Sequence, residues 1–181
     1  MRQAYPNAEV EVWAFDEHRL GLKPILRKVW SKRGQRPIAT VPHRYQWLYL
    51  YAFGCPESGL TQGFILPRVN LAWFNRALQE LAEAVGAGAN KQVLLVIDGA
   101  GWDRAQKVVV PQGIHLVFLP PYSPELQPAE RLWQLSDEPL VNRNFENLDA
   151  LEETLASRCN ILSALPEVIR QHTLFHWWSE T

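Results

Sequence analysis

The sequence predicts an α/β fold with one mixed five-stranded sheet, three antiparallel strands followed by two parallel ones, flanked by helices. Three observations predict it. The first third carries short β-rich segments cut apart by Gly and Pro. Residues 71–85 then switch to apolar spacings of three and four. Beyond them lie two continuous apolar runs, the pattern of strands buried on both faces. At 181 residues, 47% apolar and 20% charged, the chain can bury one sizeable core. It has no internal repeat, low-complexity tract or Gly/Ser linker, so residues 1–181 are expected to form a single domain.

Each element has a local cause. Glu9 to Phe15 is near-alternating and β-rich, a first strand that runs into Asp16-Glu17. Ile25 to Trp30, Gln46 to Phe53 and Thr61 to Leu66 also read as β, in a meander punctuated by Gly34, Pro37, Pro42, Gly54, Pro56 and Gly59. Leu71, Phe74, Leu78, Leu81, Ala82 and Val85 line one face of a helix that Gly86 ends. Val93 to Ile97 is a buried strand ending at Asp98-Gly99, Asp103 to Val108 a short helix, and Ile114 to Phe118 a second buried strand. Pro120, Pro121, Pro124 and Pro128 forbid regular structure until Pro128, which suits the first turn of a helix. Asn147 to Leu162 is a further helix, with Leu148, Leu151, Leu155 and Cys159 on one face. This order of elements is that of a ribonuclease-H-like sheet.

A formal net charge of −1 conceals segregation along the chain. No acid occurs between Glu17 and Glu57, a stretch holding eight of the eighteen Lys and Arg. Such a one-signed segment can neutralise phosphates. From Glu125 to Glu153 eight acids face only Arg131 and Arg143. No apolar run approaches the ~20 residues of a membrane span, and the first residues lack a signal sequence, so a soluble cytoplasmic protein is expected. Cys55 and Cys159 are far apart and suggest neither a zinc finger nor a disulfide framework. There is no GxxxxGK or GxGxxG, so no nucleotide cofactor is indicated. His172 and His176 lie four apart on a terminal helix beside Trp177 and Trp178, where packing outweighs metal binding. Trp47, Tyr49 and Tyr51 alternate as one core face of a strand before they are a base-stacking platform.

Three acids stand at element ends: Asp16 after the first strand, Asp98 after the buried strand, and Glu130 in the turn that opens at Pro128. In open α/β sheets ligands gather beyond the carboxyl ends of strands. Were the two strands neighbours, about 4.8 Å apart, Asp16 and Asp98 would share one metal ion. Glu130, favoured in a first helical turn by ~0.3–1 kcal/mol, would reach a second. Magnesium prefers such hard oxygens. Glu17 points to the opposite face of its strand, and Glu125, inside the turn, is the rival for the third acid.

The segments Phe15-Asp16-Glu17-His18-Arg19-Leu20-Gly21-Leu22, Lys32-Arg33-Gly34-Gln35-Arg36-Pro37 and Val96-Ile97-Asp98-Gly99-Ala100, and above all the run from Leu119 to Trp133 (LPPYSPELQPAERLW), resemble the DDE transposases of bacterial insertion sequences in the mariner-like superfamily. The resemblance covers nearly the whole chain. It implies that Asp16, Asp98 and Glu130 are the catalytic, metal-binding triad for two Mg²⁺ or Mn²⁺ ions. The thirty-two positions from Asp98 to Glu130 are close to the family's habit, whereas Asp103 stands where relatives often carry a histidine and would also suit a helix cap.

The implied activity is metal-dependent DNA strand cleavage and strand transfer at insertion-sequence ends, acting on element ends and target DNA as a homodimer in the bacterial nucleoid. Lys32, Arg33, Arg36 and Arg44 are the expected phosphate contacts. Relatives carry a helix-turn-helix DNA-reading domain ahead of the first acid. The expectation is that this domain is absent here, lost or supplied by a separately encoded protein. Two other readings stand beside the transposase: a catalytically inactive, transposase-derived DNA-binding or assembly protein, and a ribonuclease-H-like nuclease on hybrids or junctions.

Overall fold

Strand β1 (Glu9–Gly21) is thirteen residues long and changes neighbours partway along. From Glu9 to Phe15 it pairs in parallel with β4 (Lys91–Ile97). From Ala14 to Gly21 it pairs antiparallel with β2 (Trp47–Gly54). Only Ala14 and Phe15 are paired on both sides. β3 (Thr61–Leu66) lies antiparallel against β2, and β5 (Ile114–Phe118) parallel against β4, giving the order β3-β2-β1-β4-β5. This is the predicted mixed sheet of three antiparallel and two parallel strands. The structure is a computed structural model and describes residues 4–39, 41, 44–98, 108–121 and 123–175. Asp103 and most of the expected 103–108 helix, together with His176, Trp177 and Trp178, lie outside the described residues.

Helix α1 (Leu71–Val85) covers one face of the sheet. Asn70 caps its start by accepting from the Trp73 N–H at 2.8 Å, and Gly86 ends it in the left-handed region, as the sequence pattern required. Its apolar stripe packs on the odd-numbered residues Trp13, Phe15, Tyr51, Phe53, Val93, Leu95 and Ile97. The Phe15 ring centre is 4.7 Å from Phe53 and 5.1 Å from Phe74.

The opposite face is covered by the C-terminal third. Short 3₁₀ turns at Pro124–Leu126 and Pro128–Arg131 lead into α2 (Leu132–Ser136), followed by α3 (Leu148–Ser163) and α4 (Pro166–Thr173). Leu132, Leu135, Leu151, Leu155, Leu162 and Ile169 pack there on Leu20, Leu48, Leu50 and Ala52. The β2–β3 turn touches α4 through Gly59. Its φ is +73°, and a Cβ would stand 1.8 Å from the Pro166 carbonyl oxygen, so glycine is required. No helix among the described residues is long and apolar enough to cross a membrane.

Three sequence expectations are corrected. Ile25 to Trp30 is not a strand. Its backbone bonds go elsewhere: the Asn142 side chain accepts from the Arg27 N–H and donates to the Arg27 carbonyl, and the Asn142 N–H donates to the Ile25 carbonyl. Leu26, Val29 and Trp30 are exposed. The helix expected from Pro128 begins instead as a 3₁₀ turn and becomes α-helical at Leu132. Of the three alternating aromatics, Tyr49 and Tyr51 join the α1-side core, but Trp47 at the strand's end is exposed, with the Arg19 guanidinium over its ring at 4.4 Å.

Candidate active site

Asp16 does not close β1, because pairing with β2 carries the strand on to Gly21. What ends beside Asp16 is the β1–β4 ladder, whose last pair is Phe15 with Ile97. The next residues along the two strands are Asp16 and Asp98. Side chains alternate across a strand, so Asp16 shares its face with Ala14, while Glu17 faces the α1 side with its partner Tyr51. Glu17 therefore stays outside the candidate set.

A small apolar cluster lies beneath the acids. Ala14, Val96 and the buried Ala129 pack together. Ala14 stands two residues before Asp16, Val96 two before Asp98, and Ala129 one before Glu130. The turn that carries Glu130 is tied to β1 by Gln127, which is buried. Its Nε2 donates to the Phe15 carbonyl at 2.9 Å and its Oε1 accepts from the Ala129 N–H. Pro124 and Pro128 stand on either side of Gln127, which ties the turn to the sheet. Glu125 sits exposed in the preceding turn.

The electrostatics couple the three acids. Burial first, then the charges of Glu130 and Asp98, lift the Asp16 carboxyl from 3.8 to about 6, against hydrogen bonds from the Glu17 backbone N–H and the Trp133 side chain. Glu130 is also raised, by desolvation and then by the charge of Asp98. The three acids thus feel one another, and among the described residues none of them forms an ion pair with Lys or Arg. Side chains close enough together to hold a metal ion as a group of three are absent among the described residues. The donor set nonetheless has the chemistry of a divalent-cation site: hard oxygens, mutual repulsion and, among the described residues, no ion pair to a cationic side chain.

Sequence reasoning passed over three other residues here. Trp133 Nε1 donates to Asp16 Oδ2 at 3.1 Å. His18 stacks on the Trp133 ring with centres 4.7 Å apart and planes 16° apart. Asp137 Oδ1 is 2.9 Å from His18 Nε2. Spacing was the available signal, since His18 follows Asp16 by two on a strand and Trp133 follows Glu130 by three across a helical turn.

The basic residues lie apart from these acids in the sequence, on the β1–β2 connection. Lys32, Arg33 and Arg36 are exposed, on a stretch whose described residues have no regular secondary structure. Arg44, also exposed, donates to the Glu146 carbonyl, which ties that end of the connection to the start of α3. Trp30 and Ile38 on the same stretch are almost wholly exposed. His172 Nδ1 lies 2.9 Å from the Val168 carbonyl. Cys55 and Cys159 are free thiols, and burial raises both.

A family model described as "DDE superfamily endonuclease" matches residues 11–152. The uncharacterized protein y4pE/y4sA of Sinorhizobium fredii (strain NBRC 101917 / NGR234) is 36% identical over 132 residues, 72% of this chain and 96% of that protein. The fold is similar to that in a crystal structure of the Mos1 mariner paired end complex with Mn, with a TM-score of 0.60 at 16% identity over 91% of this chain and 56% of that one. It is also similar to that in a pre-cleavage Mos1 transpososome, with a TM-score of 0.61 at 15% identity over 96% of this chain and 58% of the other. The chain therefore spans a little over half the length of those solved chains.

Proposed function

The chain belongs to the DDE superfamily endonucleases, and from that premise we propose that it is the catalytic domain of an insertion-sequence transposase, cutting DNA at element ends and joining the freed ends to target DNA. Asp16, Asp98 and Glu130 would hold two Mg²⁺ or Mn²⁺ ions. One observation carries the assignment: Ala14, Val96 and Ala129, which pack together, stand two, two and one residues before the three acids on three different elements. The similar Mos1 paired end complex is one with Mn, which supports a divalent metal here.

When bound, such ions activate a water or a DNA 3′-hydroxyl for in-line attack on phosphorus and stabilise the departing oxygen. The chain's own contribution is placement. The ladder ending at Phe15 and Ile97 fixes the origins of Asp16 and Asp98, and Gln127 fixes the turn carrying Glu130. Lys32, Arg33 and Arg36, with Arg44 nearer the body of the domain, would track the phosphates and position DNA without reading its sequence. A homodimer on DNA, and a separate helix-turn-helix protein that reads the terminal repeats, complete the proposal.

The deciding experiment is Mg²⁺- or Mn²⁺-dependent nicking of end-containing DNA, with RNA–DNA hybrids and branched junctions as competing substrates. Asp98→Asn and Glu130→Gln should abolish nicking while DNA binding persists. Unchanged nicking by either variant refutes the triad. Binding without cleavage by the wild type points to an inactive assembly protein, and preferential cutting of hybrids or junctions to a different nuclease.

A further inference from the structure

Asp16 accepts two hydrogen bonds, from the Glu17 backbone N–H and from the indole of Trp133. An indole N–H can only donate, so its direction is unambiguous. It is also neutral. A lysine or arginine in that place would supply the charge that a cation is needed to supply, whereas an indole constrains the carboxylate and leaves its charge available. The indole bond is made to Oδ2.

The indole is itself held. Trp133 and Asp137 are separated by four residues, and the Asp137 N–H donates to the Trp133 carbonyl at 3.0 Å. Four residues of helix advance about 6 Å. Asp16 and His18, two apart on β1, are separated by about 6.6 Å along the strand. The two spacings match, and the four side chains form a chain of contacts: Asp16 accepts from Trp133, His18 stacks on Trp133, and Asp137 contacts His18 at 2.9 Å. Arg27 Nη2 lies 3.9 Å from the other Asp137 oxygen, at the far end of that chain.

On the reading that Asp16 is a metal ligand, we propose that Trp133 is a positioning residue for it, the indole N–H fixing the direction of the carboxylate and the His18–Asp137 pair fixing the indole. Hydrogen-bond partners of metal ligands typically contribute about 10–100-fold to metal affinity. Trp133→Phe keeps an aromatic ring against His18 and removes the donor.

The test is Mn²⁺ titration of the DNA-free protein by calorimetry, alongside thermal midpoints and the Mn²⁺ dependence of nicking. For Trp133→Phe the Mn²⁺ dissociation constant and the half-maximal Mn²⁺ concentration should both rise about 10–100-fold. The rate at saturating Mn²⁺ should stay within a few-fold of wild type, a separation that a general loss of packing would not produce. Where Trp133→Phe fails to fold, replacing the indole at 133 with benzothiophene keeps the shape and still deletes the N–H. Wild-type Mn²⁺ affinity in the donor-less protein, beside loss of affinity in Asp98→Asn, overturns the positioning role while the triad stands. Wild-type affinity in Asp98→Asn as well overturns the metal reading and the positioning role with it.

Discussion

The two faces of β1 are built from alternate residues of one strand and have opposite characters. On the α1 side Trp13 and Phe15 are fully buried among Phe53, Phe74, Leu78 and Leu95, and the packing is aromatic and dense. On the other side the same stretch presents Ala14, Asp16 and His18 to a turn and a short helix. The first face supplies cohesion. The second sets small side chains under a group of acids that repel one another, at a cost in stability that the first face must offset. The contrast is one of parity: on β1 the odd residues Trp13 and Phe15 build the α1-side core, while the even residues Ala14 and Asp16 lie at the proposed site before Leu20 returns that face to packing.

Breaking the even side should produce the largest effect. Asp98→Asn and Glu130→Gln should lower metal-dependent nicking by roughly a thousandfold or more, the several kcal/mol expected of a metal-centred transition state, with an unchanged fold by circular dichroism. Breaking the odd side should do the reverse. Phe74→Ala removes a ring in contact with Phe15 and should cost about 3–5 kcal/mol in denaturant unfolding. Any Phe74→Ala protein still folded at low temperature should bind Mn²⁺ normally.

A third change sharpens the contrast by moving stability the other way. The Asp16 carboxyl, raised from 3.8 to about 6 by burial and by its acidic neighbours, holds its proton more tightly in the folded than in the unfolded chain. Its contribution therefore favours the fold at low pH, declines as pH rises from about 4 to about 6, and is wholly lost above that. Asp16→Asn, which keeps an acceptor for Trp133, should stabilise the metal-free protein at pH 7–8 by about 1–3 kcal/mol and remove that pH dependence. Equal stability of the two proteins at pH 4 and pH 8 would mean that Asp16 carries no strain. The smallest effects belong to the β1–β2 connection. Alanine at Lys32, Arg33 or Arg36 should change stability by no more than about 0.5 kcal/mol. Each should reduce the slope of log K for DNA against log salt by about 0.9.

Much of this was legible in the sequence, and the exceptions have physical reasons. Strands β3 and β5 and helix α1 carry clear patterning and firm punctuation, Gly86 above all, and their bounds follow from these. Ile25 to Trp30 misled because β propensity does not say where backbone bonds go, and here the Asn142 side chain takes them from more than a hundred positions away. Asp16 read as a strand end because the charge run begins there, yet its place is defined by a change of partner that only the pairing reveals. Placement at element ends and then the family motifs drew attention to the three acids, but not to the chain of contacts from Asp16 through Trp133 and His18 to Asp137, which depends on one helix lying across one strand.

That these three carboxylates share divalent cations is tested most directly by anomalous diffraction from crystals of the protein bound to end DNA and soaked in Mn²⁺. Anomalous peaks should appear between Asp16 and Asp98 and beside Glu130, and should vanish when Asp98 is changed to Asn. Peaks elsewhere on the protein, or none at the three acids under saturating Mn²⁺, would contradict the shared-cation site.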